Sequence, residues 1–117
     1  MTGMVSQQHL LANALSVLEQ NHGLLSQNIA NVNTPGFKTR ELQFAEFMKQ
    51  IENGTADRAL LEKMTVNLKQ GLRVRKDGNN VDLDSQVGAL KKNSLLYQTY
   101  SHLLASKMTT ARRAMSR

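Results

Sequence analysis

The sequence predicts a mainly α-helical chain in which long N- and C-terminal heptad helices pack together and flank a short, irregular middle. Three observations carry this reading. Near both ends, apolar residues recur at alternating spacings of four and three, the mark of a helix with one apolar stripe. Aromatic residues make up only 4% of the 117 residues, and the apolar content is mostly Leu, Ala, Val and Met, which suits helix packing better than a sandwich built on large rings. The only proline, Pro35, follows the first periodic stretch and is itself followed by Gly36, a helix stop and turn. The length fits one domain over 1–117, divided into an N-terminal helix (6–33), a turn and middle segment (34–83) and a C-terminal helix (84–115).

The first helix carries the seam Leu11, Leu15, Leu18, His22, Leu25, Ile29 and Val32. At 1.5 Å per residue it forms a rod of about 40 Å. A second apolar line of Leu10, Ala14, Val17 and Leu24 broadens the stripe, as in a helix packed against more than one neighbour. His22 breaks the seam as a polar residue that sets register, and its protonation would loosen packing. Gly23 marks either close helix approach or a weak point, because glycine costs about 1 kcal/mol relative to alanine.

The helix must stop by about Asn33. Thr34 precedes proline and is pushed out of the α region, and Asn tolerates the left-handed conformation at such a stop. Asn31, Asn33, Thr34, Pro35, Gly36 and Phe37 then form a type II turn, with proline at its second position and glycine supplying the positive φ of the third. After it, Phe44, Phe47, Met48 and Ile51 fall at helical spacing and predict a short helix from about Glu41 to Glu52, closed by Asn53-Gly54. All three phenylalanines lie between 37 and 47 and predict a small core there. Residues 55–64, with Leu60, Leu61 and Met64, are expected to add a helical turn or two. Val66, Leu68, Leu72 and Val74 alternate around Gln70-Gly71 and predict a small β-hairpin. Arg73, Arg75 and Lys76 beside Asp77 read as a solvated edge. Asp77-Gly78-Asn79-Asn80 is a turn, after which Asp82 or Asp84 caps the last helix.

That last helix carries the second seam: Leu83, Val87, Leu90, Ser94, Tyr97, Ser101, Leu104, Met108, Ala111 and Met115. Serines dilute it, and its end is rich in Met and Ala. Arg112, Arg113 and Arg117 suit the negative end of the helix dipole. Neither seam is continuous enough for an isolated two-stranded coiled coil. The small middle cannot cover both stripes, so they pair with each other, with other subunits, or with both.

The formal net charge is +6. Residues 1–35 hold no Lys or Arg, whereas 85–117 hold six basic residues and no acidic one. These charges are too thinly spread for a phosphate-tracking stripe, so nucleic acid is not expected as a partner. There is no Cys, hence neither a disulfide nor a thiolate site. His9, His22 and His102 have no acidic residue at ligand spacing, so no metal is expected. The scattered glycines make no phosphate loop. Asp82 and Asp84 are better explained by capping than by acid–base work. No catalytic residue, cofactor or small-molecule substrate is indicated. No apolar run is long enough to span a bilayer. The N-terminus has neither the basic nor the apolar region of a cleaved signal peptide.

The run Ala30-Asn31-Val32-Asn33-Thr34-Pro35-Gly36-Phe37-Lys38 resembles the N-terminal signature of the rod, hook and hook-junction proteins of the bacterial flagellum. In that axial-protein family an Ala-Asn-x-x-Thr-Pro-Gly-aromatic run follows a long N-terminal helix. Asp77-Gly78-Asn79-Asn80-Val81-Asp82-Leu83-Asp84, with Asn93-Ser94-Leu95-Leu96-Tyr97-Gln98, resembles the C-terminal part of a proximal-rod member. The Val-Asn-Met-Ile-like run of other members is absent. The resemblance implies a structural subunit of the basal-body rod, the hollow drive shaft crossing the periplasm. It implies terminal helices that pack together and line the inner tube, and export through the flagellum's own type III apparatus without a cleaved signal peptide. The partners it implies are other rod proteins, further copies of the chain, and the membrane ring and export gate at the rod base. The assembly seam would be Leu11, Leu15, Leu18, His22, Leu25, Ile29, Val32, Val87, Leu90, Tyr97, Leu104 and Met108. The same stripes would also serve a soluble helical adaptor or chaperone, which would form a stoichiometric complex and no polymer.

Overall fold

A computed structural model describes residues 7–43, 45–54 and 64–116. Two long helices, α1 (Gln7–Ala30) and α3 (Leu83–Met115), lie antiparallel and form a hairpin. Between them in sequence come strand β1 (Arg40–Leu42), helix α2 (Ala45–Glu52) and strand β2 (Val66–Leu68). The molecule is drawn out along the hairpin, measuring 65 × 25 × 16 Å.

The core sits on one side of α1. Leu10, Ala14 and Val17 of α1 meet Leu42 of β1 and Phe47 and Ile51 of α2, with Leu24, Met48, Met64 and Tyr100 packed around them. Among the described residues, Phe47 is the only phenylalanine in this cluster. Phe37 is half-buried, its ring 5.6 Å below the Arg40 guanidinium, and the side chain of Phe44 lies outside the described residues. The second apolar line seen in the sequence therefore faces the middle segment. On the first line, Leu11, Leu18 and Leu25 are buried.

Several boundaries differ from expectation. Helix α1 ends at Ala30, and 31–33 form turns that lead into Thr34. Asn33 is not left-handed: positive φ among the described residues is confined to Gly36, Gly54, Gly71 and Gly78. Helix α2 begins at Ala45, not Glu41, because Arg40–Leu42 is taken up by strand β1. Its end at Asn53-Gly54 is as expected, with Gly54 at φ 73° and its N–H bonded to the Ile51 carbonyl at 3.0 Å. Strand β2 starts at Val66 as the alternation indicates, but it does not pair with 72–74. It pairs antiparallel with β1, Arg40 opposite Leu68 and Leu42 opposite Val66, since Leu42 gives β1 an apolar side to set on α1. The helical turns expected at 55–63 lie outside the described residues.

The last helix meets expectation closely. Asp82 is its N-cap, the carboxylate accepting from the Ser85 N–H at 3.2 Å, and Asp84 adds a negative charge to the first turn. Both stabilise the positive end of the helix.

Gly23 does not mark a close approach. It is exposed, and a Cβ there would meet nothing within 4 Å. Gly23→Ala should therefore stabilise the chain by about 1 kcal/mol, read as a higher urea midpoint with an unchanged slope.

Candidate assembly site

The two stretches singled out in the sequence, 30–38 and 77–84, are far apart in the chain but form one site. It begins with the exposed carbonyls at the end of α1. A helix leaves its last carbonyls without intrahelical partners. Here Asn31 Nδ2 donates to the Gln27 carbonyl at 2.8 Å, and Asn79 Nδ2 donates to the carbonyls of Asn31 at 2.8 Å and Thr34 at 2.9 Å. Arg75 Nη2 donates to the Val32 carbonyl. The last turn of α1 holds no basic residue, so Arg75 supplies from a distant segment the positive charge that end favours.

Thr34-Pro35-Gly36-Phe37 is the expected type II turn. The Phe37 N–H bonds the Thr34 carbonyl at 3.2 Å, and Gly36 has φ 77°. The second motif makes its own tight turn, with Gly78 at φ 86° and its N–H bonded to the Arg75 carbonyl at 2.9 Å. The turns interlock. The Gly36 N–H donates to the Asp77 carbonyl at 2.8 Å, and Lys38 Nζ reaches the Gly78 carbonyl. A Cβ on Gly78 would lie 3.2 Å from Gly36 Cα, so glycine is required there for space as well as for φ. Behind the turns, Thr39 is fully buried, its N–H donating to Asn80 Oδ1 at 2.6 Å. Asn79, also fully buried, accepts at Oδ1 from the Val81 N–H at 2.8 Å.

A ladder of buried amides runs from this clasp along the helices. Asn28 binds both backbone groups of Arg40: Nδ2 donates to its carbonyl at 2.8 Å, and Oδ1 accepts from its N–H at 3.1 Å. Asn28 Nδ2 also donates to Gln86 Oε1 at 2.9 Å. Two turns further along, Asn21 Nδ2 donates to Asn93 Oδ1 at 2.9 Å, and Asn93 Nδ2 donates to the Leu18 carbonyl at 2.8 Å. The rungs fix one antiparallel register, each a heptad from the next on both helices. No buried side-chain nitrogen or oxygen among the described residues lacks a partner.

These amides, rather than the apolar seam of α3, fill the inside of the hairpin. His22 is exposed; the polar position inside the hairpin is Asn21, one residue earlier. On α3 the most buried residues are Gln86 and Asn93, not the apolar seam. Val87, Leu90, Tyr97 and Leu104 are half-buried, as are Leu15, Ile29 and Val32 of α1, while Met108 is 48% exposed. The physical reason is that Asn21 and Asn28 need polar partners, so α3 turns Gln86 and Asn93 toward them and moves its leucines to the flanks. The signal was present as Asn21 and Asn28, and Gln86 and Asn93, each a heptad apart; apolar periodicity alone does not register it. At the flank, the Tyr97 hydroxyl donates to Glu19 Oε1 at 2.9 Å, and this bond raises the Tyr97 pKa.

The groups that converge here are amides, hydroxyls, backbone and the Lys38 ammonium, with one carboxylate, Asp77, paired to Arg75 at 3.3 Å. Fold and site define a helical-hairpin protein whose open loops are locked by a polar clasp. Comparison with known proteins gives the family. No family model matches the chain. It is 35% identical over 108 residues to the flagellar basal body rod protein FlgB of Proteus mirabilis strain HI4320, covering 77% of this chain and 79% of that protein. It is 31% identical over 114 residues to FlgB of Aeromonas hydrophila (87% and 86%) and 28% identical over 103 residues to FlgB of Escherichia coli K12 (73% and 75%). The chain belongs to the FlgB family of flagellar basal body rod proteins.

Two predictions follow from the clasp geometry. Pro35→Ala should be the mildest change at the turns. Gly36→Ala should cost about 1–2 kcal/mol through positive φ alone, and Gly78→Ala should cost more, because φ and crowding add; urea melts of the three variants check the order. The Asn79 N–H and the Arg75 side chain hold the Asp77 pKa below its ordinary 3.8. A lowered folded-state pKa gives stability that is present above the unfolded value and lost as pH falls through the folded one. The difference in urea midpoint between the wild type and Asp77→Asn should therefore be constant near neutrality and shrink as pH falls below about 4.

Proposed function

We propose that this chain is a structural subunit of the proximal rod of the flagellar basal body. It is built into the hollow shaft through its terminal helices, with the clasp and middle segment turned toward outer neighbours. The observation that carries this reading, beside family membership, is apolar surface on α3 that the chain itself leaves uncovered. Leu83, Leu95, Leu103, Met108 and Met115 are 44%, 64%, 44%, 48% and 85% exposed. Burying such side chains is worth about 1.5–3 kcal/mol each when complete, enough to drive assembly from a few contacts per neighbour.

Partners in this reading are other rod proteins, further copies of the chain, and the membrane ring and export gate at the rod base. Delivery is through the flagellar type III apparatus. No helix among the described residues is long and apolar enough to cross a membrane, in keeping with a periplasmic shaft component. The structure changes which substitutions test assembly. Leu18 is fully buried within the hairpin, so a charge there would unfold the subunit itself.

Leu103→Asp with Met108→Asp should leave the helical circular dichroism spectrum and urea midpoint close to wild type. The same double variant should be missing from purified hook–basal bodies and should fail to restore swimming to a deletion strain. Normal incorporation would refute assembly through the exposed apolar surface of this helix.

A further inference from the structure

The clasp contains a bond that its own requirements put at risk. Asp77 is followed by Gly78, and the clasp needs that glycine, since its φ is 86° and a Cβ would lie 3.2 Å from Gly36 Cα. A glycine has no side chain to shield its amide nitrogen. In an aspartyl-glycyl step that nitrogen can attack the carboxyl of the residue before it. A bond forms between Gly78 N and Asp77 Cγ, and the amide proton and the carboxyl hydroxyl leave together as one water. The product is a succinimide ring. Water then reopens it. Addition at Cγ restores aspartate, whereas addition at the main-chain carbonyl carbon gives isoaspartate, whose backbone runs through Cβ and Cγ. One water leaves and one returns, with no change of oxidation state. Asp77 is exposed, so solvent is at hand for both steps.

The closed clasp holds back every group in this reaction. The proton of the nucleophile is committed, the Gly78 N–H donating to the Arg75 carbonyl at 2.9 Å. The other end of the same peptide unit is committed too, the Asp77 carbonyl accepting from the Gly36 N–H at 2.8 Å. Together these bonds fix the plane of the 77–78 peptide, so its nitrogen cannot rotate toward Cγ without breaking both. The carboxylate is given to other partners. Its Oδ1 accepts from the Asn79 N–H at 3.0 Å, and its Oδ2 pairs with Arg75 Nη2 at 3.3 Å. The same partners favour its ionised form and lower its pKa. An ionised carboxylate must gain a proton before its oxygen can leave as water.

We propose that Asp77-Gly78 is an isomerisation site gated by the clasp: the closed clasp keeps it inert, the open one lets aspartate convert to isoaspartate, and a chain carrying isoaspartate cannot close again. The added methylene lengthens the backbone at the point where Gly78 already packs against Gly36. The carbonyl that accepts from Gly36 becomes a free carboxylate on a side branch. The modification is thus a one-way mark on chains whose two turns have not met. It holds whatever the hairpin assembles into.

The full chain is incubated at neutral pH in native buffer and in urea above its midpoint. Isoaspartate at 77 is measured by peptide mapping with electron-transfer fragmentation. If only the open form reacts, the rate follows the open population, and isoaspartate should appear roughly tenfold or more slowly in native buffer. Lys38→Met removes the contact with the Gly78 carbonyl, and Asn80→Ala removes the side-chain acceptor of the Thr39 N–H. Each should raise the rate in native buffer, and both leave the reacting groups in place. The Asn53-Gly54 step lies outside the clasp, at the end of α2, and its deamidation reports opening of the chain as a whole. That rate should stay at the wild-type value in both variants. Chain carrying isoaspartate at 77 alone, separated by chromatography, should have a lower urea midpoint than unmodified chain. Equal rates in native buffer and urea overturn the proposal, as does a wild-type rate at 77 in both variants. A rise shared equally by 53 and 77 overturns it, because the gate would then be unfolding of the whole chain. An unchanged midpoint for the isoaspartate chain overturns it too. If neither variant folds, the wild-type comparison and the isoaspartate midpoint still decide.

Discussion

The bidentate grip of Asn28 on the backbone of Arg40 is the constraint on which the other parts rest. It ties the end of α1 to the first residue of β1, and so fixes where the chain leaves the turn at Pro35. It sets Leu42 toward the core two residues later, and through Gln86 it places the start of α3. Asn28 is fully buried. A buried amide with missing partners costs about 1–3 kcal/mol for each group left unsatisfied. The arrangement is therefore close to all-or-none: displacing β1 or shifting α3 strands the same side chain.

Buried amides in a helix pair add little net stability compared with leucine, but they restrict the alternatives. A slip of one heptad would set Asn21 against Gln86, a tolerable polar pair. It would also bring Asn93 to Ala14, which is fully buried in the apolar cluster, and leave that amide without a partner. The leucine stripes alone would accept either register. The ladder selects one.

Much of the fold was legible in the sequence because it rests on local rules. Both long helices, the type II turn at Pro35-Gly36, the turn at Asp77-Gly78 and the Asp82 cap follow from spacing and from residues with one strong backbone preference. The parts that were not legible depend on partners distant in the chain. Strand β1 exists because β2 is available to pair with it, and nothing within Arg40–Leu42 overrides the helical spacing of Phe44, Phe47 and Ile51. The two motifs could be recognised separately, but their interlocking is a tertiary fact carried by Asn79 and Asn80, which read locally only as turn formers. His22 looked like the polar break because it occupies a strict seam position. The true inner face is rotated by one residue, a rotation imposed by the amides of α3.

The nested arrangement of contacts also orders the way the chain can close on itself. The Thr39–Asn80 bond spans 41 residues, the Asn28–Gln86 rung 58 and the Asn21–Asn93 rung 72. Bringing the two turns together is the one large loop closure, and its entropic cost falls on a single event. Once it is made, the first rung lies a short step away on either side, the second only two helical turns beyond that, and neither requires a new loop. The molecule closes like a zip from the clasp, and under load it should open in the reverse order, the far ends of the helices parting before the turns.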